Sequence, residues 1–277
     1  MIKAPAFHSP STMRLRVALG GLRCAAQLAW RHTRVGARTL RAATVGAVSA
    51  RGREEVRRIA DALAITDGLE PSMPVIGVDQ ITNDGTPIRL FELEPRHGNI
   101  TLLELIVLSR LVRERAPRSL FEIGTFDGRT TLNLAANAPD DAVVHTLDLP
   151  SNQPTAYALS AADYQFVNKP VSGSRIIATP YAERIKQLYG DSATFDFSPY
   201  RADFVFVDGS HAYEYVLNDS RRALQLAGDG PAVIVWHDYG VWDGVTRAIH
   251  ELSTHDPRFA NLRWVRGTSL VVHAASP

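Results

Sequence analysis

From residue 119 onward the chain repeats one pattern: a short apolar run, a turn, then a stretch with helical periodicity. The runs are "SLFEIG", "VVHTLDL", "FVFVDG", "AVIVWHD" and "SLVVHA", and the stretches between them include "RTTLNLAAN", "YEYVLNDSRRALQLA" and "GVTRAIHEL". Parallel strands need helical crossovers to bring the chain back, so this alternation predicts an α/β, doubly wound sheet. Runs that are apolar almost throughout predict strands covered by helices on both faces. A seven-stranded, mostly parallel sheet is expected, with "IKQLY" as a further short strand.

Upstream the pattern is looser. "NITLLELIVLSRLVRERA" (99–116) carries an apolar helical stripe and is expected to pack beside the sheet. "VIGVDQITNDGTPIRLFEL" (75–93) alternates loosely about Asn83, Asp84 and Gly85, which predicts a hairpin or a short extended excursion. "EEVRRIADALAI" (54–65) reads as a helix that the two prolines of "LEPSMP" bring to an end.

Charge divides the chain further. Residues 1–58 hold twelve Lys or Arg against Glu54 and Glu55, a net of +10 in a protein whose total is +1. Arg31, Arg34, Arg38 and Arg41 recur at steps that line one side of a helix. Three readings of this arm stand: a solvated helix or partly disordered tail, an arm on anionic membrane or an acidic partner, and a nucleic-acid contact. With Phe7 and Trp30 its only aromatics, base stacking has little to work with, and nucleic acid is the weakest of the three. The apolar stretch "VALGGL" is cut short by Arg23, which argues against a secretory signal, and no apolar run is long enough to span a bilayer. The single cysteine, Cys24, forms no internal disulfide, which suits a reducing, cytoplasmic setting. The domain plan expected is therefore a basic arm (1–58), a linker with a hairpin-like cap segment (59–98), and a catalytic domain (99–277).

In sheets of this kind ligands bind beyond the carboxyl ends of the strands. "FEIGTFDGRTT" (121–131) falls there, and Gly124 and Gly128 allow backbone angles closed to other residues or a close approach of ligand to chain. The spacing is neither the G-x-G-x-x-G of a dinucleotide fold nor a phosphate loop, which needs G-K-[ST]. Acids recur at the other strand ends. Asp148 lies about 20 residues past the glycine turn, where an acid accepts from ribose hydroxyls, and Asp191, Asp208 and Asp238 follow in turn. Four acids on one sheet edge predict a polar site.

"FEIGTFDGRTTLNLA", "HTLDLP", "LYGDSATFDFSPY", "FVFVDGSHAYEYVLNDSRRAL" and "VIVWHDYGVWDGVTRAI" together resemble the Rossmann-like class I S-adenosylmethionine-dependent methyltransferases, in particular the small bacterial branch related to macrolide- and sugar-tailoring O-methyltransferases. The resemblance runs over residues 99–274. It implies that Glu122, Gly124 and Gly128 lie against the amino acid and ribose of S-adenosylmethionine, that Asp148 takes the ribose hydroxyls, and that Asp191 and Ser192 meet the adenine edge. Asp208 and His211 belong to its "DGSH" block and His237 and Asp238 to its "HD" block. Metal-dependent relatives bind Mg2+ through carboxylates at those two strand ends, so Asp208 and Asp238 are candidate metal ligands. Tyr239 stands where the catechol-type pattern has asparagine, a departure that bears on magnesium.

Methyl transfer from a sulfonium needs alignment of donor and acceptor and exclusion of water rather than a covalent nucleophile. A hydroxyl acceptor must also lose its proton. His211 is the first candidate base and His237 the second; the alternatives are a helix-start residue bonding its surroundings and a satisfied core histidine. The long segment 151–184, with Tyr157, Tyr164 and Tyr181, is expected to act as a lid or acceptor wall. The acceptor expected is a small molecule or a sugar hydroxyl. Two rivals share the scaffold: a hydroxylase-like enzyme with the same strand-end acids, and a non-catalytic binding protein whose arm docks a membrane or partner.

Overall fold

The computed structural model describes residues 73–274. The basic arm, the helix expected over 54–65 and most of the proline-rich linker lie outside them. The apolar runs become strands β1 (Val75–Ile76), β2 (Ser119–Ile123), β3 (Val143–Asp148), β4 (Ile185–Tyr189), β5 (Phe204–Val207), β6 (Val233–Trp236), β7 (Leu262–Val265) and β8 (Val271–Ala274). They form one sheet in the order β1-β7-β8-β6-β5-β2-β3-β4. Every pairing is parallel except those of β8 with β6 and β7. The chain reverses its direction of travel across the sheet between β2 and β5, which places the switch point at the end of β2, beside the glycine turn.

Six of the eight strands lie where the apolar runs put them. The two that the runs do not reveal are β7, "LRWV", which is half-buried and carries an arginine, and the two-residue β1, which pairs with it at the sheet edge. Eight strands thus replace the expected seven. The longer helices are α2 (Leu102–Arg115), α3 (Arg129–Asn137), α5 (Tyr213–Ala227) and α6 (Asp243–His255); α1 (Val78–Ile81) and α4 (Tyr164–Val167) are single turns. Leu105, Leu108 and Leu132 pack with Phe204 and Phe206 in one apolar cluster. Val216, Ala248 and Ile249 pack with Phe121, Val205 and Trp236 in another. Alternate residues of the central strands therefore serve opposite faces, and each large side chain so covered contributes about 1.5–3 kcal/mol.

Residues 75–93 form no hairpin. Asn83 accepts from Gly85 N (2.9 Å) and Thr86 N (3.1 Å) in a turn, after which the chain runs as an extended strap beside α3. The strap is paired by side chains instead of a strand. Asn137 accepts from Arg89 N and donates to Arg89 O, both at 2.8 Å, and Asn133 does the same with Phe91 at 2.9 and 3.1 Å. Arg129, one turn earlier on the same stripe, donates to the carbonyls of Glu92 (2.6 Å), Leu93 (3.2 Å) and Ile100 (2.8 Å). Backbone groups that leave water need partners, and two amides and a guanidinium supply them here.

Candidate active site

β2 ends in the turn "GTFDG". Gly124 has φ 106°, and a Cβ there would sit 1.9 Å from the carbonyl oxygen of Asp208, so only glycine lets the ends of β2 and β5 meet. Past it opens a cleft of about 630 Å3 counted out to its mouth, lined among others by Gly124, Phe126, Asp148, Asp191, Ser192, Asp208 and Gly209. A smaller pocket shares Asp208, Gly209, Ser210 and Asp219 with it and reaches on to His211, His237 and Asp238. The strand-end acids expected to form one site thus line two adjoining pockets: Asp148 and Asp191 the first, Asp238 the second, and Asp208 both.

Two residues of the glycine motif serve another purpose. Glu122 is fully buried and does not line the cleft; its Oε2 accepts from Thr146 (2.6 Å) and from Thr131, tying β2 to β3 and α3. Burial pushes its pKa up to about 8, so the group is uncharged at neutral pH. Gly128, with φ 85°, does not line the cleft either. A Cβ there would strike the side chain of Ile176 at 2.7 Å and Gly173 Cα at 3.0 Å, so this glycine serves the packing of the lid segment on α3.

Asp148 reaches the cleft from β3 and is ion-paired there with Lys169, Nζ to Oδ2 2.7 Å. Both oxygens of Asp191 are engaged: Oδ2 accepts from Ala156 N (2.7 Å), Oδ1 from Ala193 N (3.0 Å) and Tyr215 Oη (2.9 Å). The carboxylate thereby braces the lid as well as lining the cleft. Ser192 stands beside Asp219, a wholly buried acid whose pKa burial raises to about 6 against hydrogen bonds from Ser192 and Asn218.

At and behind the second pocket two histidines stand among four carboxylates. His237 places Nδ1 at 3.0 Å from Asp208 Oδ1 and 3.3 Å from Asp238 Oδ1, with Nε2 3.3 Å from Glu104 Oε2. His211 places Nε2 2.9 Å from Asp238 and Nδ1 2.5 Å from Asp163, while its ring stacks on Trp242 with centroids 4.2 Å apart. Burial opposes charge on both rings, but the carboxylates outweigh it: the pKa of His211 rises to about 9 and that of His237 lies well above its ordinary value. Both imidazoles are therefore cationic at neutral pH. Neither matches the expectation of a base poised near neutrality, and the reason is the number of acids around them. Asp238 itself has φ 69°, a left-handed conformation that aspartate tolerates and that turns its carboxylate back between the two rings.

Asp208, His237 and Asp238 each offer a ligand atom within 4.8 Å of the others. Two carboxylate oxygens and an imidazole nitrogen at that spacing suit a divalent cation, which would replace the proton on His237. The magnesium expectation named only the two aspartates; the histidine between them is the third donor.

The lid segment lies along the cleft as expected, but not through its tyrosines. Tyr157 and Tyr164 are exposed and Tyr181 is buried against Phe91, whereas Leu159, Asp163, Phe166, Val167 and Lys169 line the cleft. Asp163 ties the lid to the loop after β5, accepting from Ser210 Oγ (2.7 Å) as well as facing His211. Asp163, Lys169, Asp219 and Glu104 are the residues that sequence reasoning missed. Only Glu104 had a signal: Thr101-x-x-Glu104 forms a capping box at the start of α2.

Residues 121–239 match the family described as a methyltransferase domain, a span that begins in β2 and ends just past Asp238. A search of curated proteins found no match. Among solved structures, the O-methyltransferase TomG from Streptomyces achromogenes, involved in tomaymycin synthesis and solved with SAM, is 19% identical and aligns over 64% of this chain and 82% of its own at a TM-score of 0.44. An O-methyltransferase from Bacillus cereus in complex with SAH is 18% identical over 65% and 84%, at 0.46. The family match, laid over the strand order, runs from β2 to just past β6, and over residues 121–239 the chain is similar to a methyltransferase domain.

Proposed function

We propose that the chain transfers the methyl group of S-adenosylmethionine to an oxygen of a small molecule, such as a sugar hydroxyl. The observation that carries this reading is the adjacency of two pockets: the first lies at the glycine turn of the family match, and the second, which shares Asp208, Gly209, Ser210 and Asp219 with it, is lined by His211, His237 and Asp238. Gly124 gives the cofactor access to the backbone, Asp148 accepts from ribose hydroxyls once Lys169 shares or yields it, and Asp191 with Ser192 borders the adenine. The acceptor occupies the second pocket, beside Asp208, His211 and Asp238.

Chemistry there is an in-line displacement. The acceptor oxygen forms a bond to the methyl carbon as the carbon–sulfur bond breaks, the sulfonium becomes a neutral thioether, and the hydroxyl proton leaves. His211 is the group placed to receive it, in the small fraction of chains whose ring is neutral at pH 7, so the rate should rise as pH approaches 9. Protonated, the ring is held between Asp163 and Asp238; once neutral, it keeps a proton on Nδ1 for Asp163 and presents Nε2 to the acceptor. A divalent cation on Asp208, His237 and Asp238 would lower the acceptor's own pKa. The phenylalanine and valine of the lid, Phe166 and Val167, cover the cleft and keep water from the sulfonium.

The test is methyl transfer from labelled S-adenosylmethionine to a panel of hydroxylated acceptors. His211→Ala should abolish turnover and leave cofactor binding intact; full rate in that variant contradicts the role given to His211. The hydroxylase-like and non-catalytic readings predict no methyl transfer to any acceptor. In the described residues no helix is long and apolar enough to cross a membrane. A cytoplasmic protein whose arm, residues 1–58, rests on anionic lipid is the localisation we propose, from the arm's net +10.

A further inference from the structure

Behind His237, outside the lining of both pockets, stands a residue that the proposed transfer does not use. Glu104 projects from the first turn of α2 and is buried, with His237 3.3 Å from its carboxylate. It is held rigidly. Oε1 accepts from Ser269 N and Oγ, both at 2.7 Å, and Oε2 from Thr101 N and Oγ, both at 2.8 Å. The same Oε2 faces Nε2 of His237 at 3.3 Å, and this contact turns Nδ1 toward Asp208 and Asp238.

A carboxylate that takes one N–H of an imidazole fixes its tautomer and orientation and offers the other nitrogen to a metal. We propose that Glu104 is the positioning residue of His237 in the cluster of Asp208, His237 and Asp238, and that the ring nitrogen suits this cluster to a first-row transition ion such as Mn2+ rather than to Mg2+. Magnesium takes oxygen ligands in a near-ideal octahedron and dehydrates reluctantly, while imidazole is a good ligand for the later divalent ions. The inference rests on reading the second pocket as the acceptor site, and it deepens that reading by naming the ion class.

The experiment uses the full chain stripped of metal, titrated with Mn2+ and followed by the loss of the free-ion electron paramagnetic resonance signal. Electron spin echo modulation then reads nitrogen coupling, and Mg2+ is added as competitor. We expect one Mn2+ per chain, 14N coupling from a single imidazole, and displacement by Mg2+ only at about tenfold excess or more. Glu104→Gln should weaken Mn2+ binding by about 10–100-fold. His237→Asp, which leaves the capping box of α2 untouched, should keep an ion but lose the 14N coupling and most of the preference over Mg2+. Mn2+ bound without nitrogen coupling, Mg2+ competing at equal concentration, or no ion bound by a chain that still takes S-adenosylhomocysteine would each overturn the inference. Nitrogen-coupled Mn2+ in a chain that ignores S-adenosylhomocysteine would support it and contradict the methyltransferase reading instead.

Discussion

Lys169 shows how a single side chain sets the terms for a ligand. Its ammonium sits on Asp148, the acid proposed for the ribose, inside a pocket where both groups are nearly covered. A ribose must either displace it or share the carboxylate, and the part of the ensemble that is ready to bind is smaller for it. Lys169→Met should therefore tighten S-adenosylhomocysteine by about 3–10-fold, with a lower dissociation constant in calorimetry; weaker binding would mean the ammonium contacts the ligand itself. Glu122 carries a second consequence. Its folded pKa, near 8, lies above the ordinary 4.5, so its contribution to stability is full below about pH 4.5 and is lost as pH rises through 8. His211, raised to about 9, loses its own contribution as pH climbs from about 6.5 through 9. Thermal melts from pH 5 to 8 should fall steeply for the native chain and less steeply for Glu122→Gln. Equal slopes would show that Glu122 is ionised in the fold.

At the scale of elements, α3 does two jobs. Its apolar side packs on the sheet, and the stripe Arg129, Asn133 and Asn137 pairs the strap of residues 89–100. Asn137→Ala leaves the N–H and carbonyl of Arg89 without their partners and should cost about 2 kcal/mol in chemical denaturation; a loss under about 0.5 kcal/mol would mean water replaces the amide. The same helix marks the limit of what the sequence discloses. "RTTLNLAAN" announces a helix through its periodicity, and Gly124 through Asp208 are legible as strand ends because buried parallel strands are apolar to their last residue. The strap has no period, because its partners are side chains on a helix and not a neighbouring strand. Asp163 and Lys169 lie in a lid whose residues follow the cleft rather than a helix or strand repeat. Glu104 is visible as a cap, but its contact with His237 spans 133 positions and depends on where α2 meets β6. Glu122 is kept from the cleft for a related reason: the motif fixes where the residue sits in β2, while the threonines on α3 and β3 decide which way its carboxyl turns.

For the whole molecule, the largest feature of the sequence is its charge division. Residues 1–58 carry +10 and the rest −9, so the two parts have opposite tastes in partners. Reversing Arg31, Arg34, Arg38 and Arg41 to glutamate in the full chain should abolish sedimentation with phosphatidylserine vesicles at low salt while S-adenosylhomocysteine binding is unchanged. Vesicle binding that survives the reversal would contradict the membrane role of the arm. In the described residues, two adjoining pockets lead from the glycine turn to the histidine cluster, and a sulfonium cofactor is proposed to fill the first. Calorimetric titration of the full chain with S-adenosylmethionine, S-adenosylhomocysteine and NAD, with Asp148→Ala in parallel, tests this most directly. Micromolar binding of the first two, none of NAD, and loss of both in the variant is the predicted result; a folded chain that binds neither, or binds NAD as well, would contradict it.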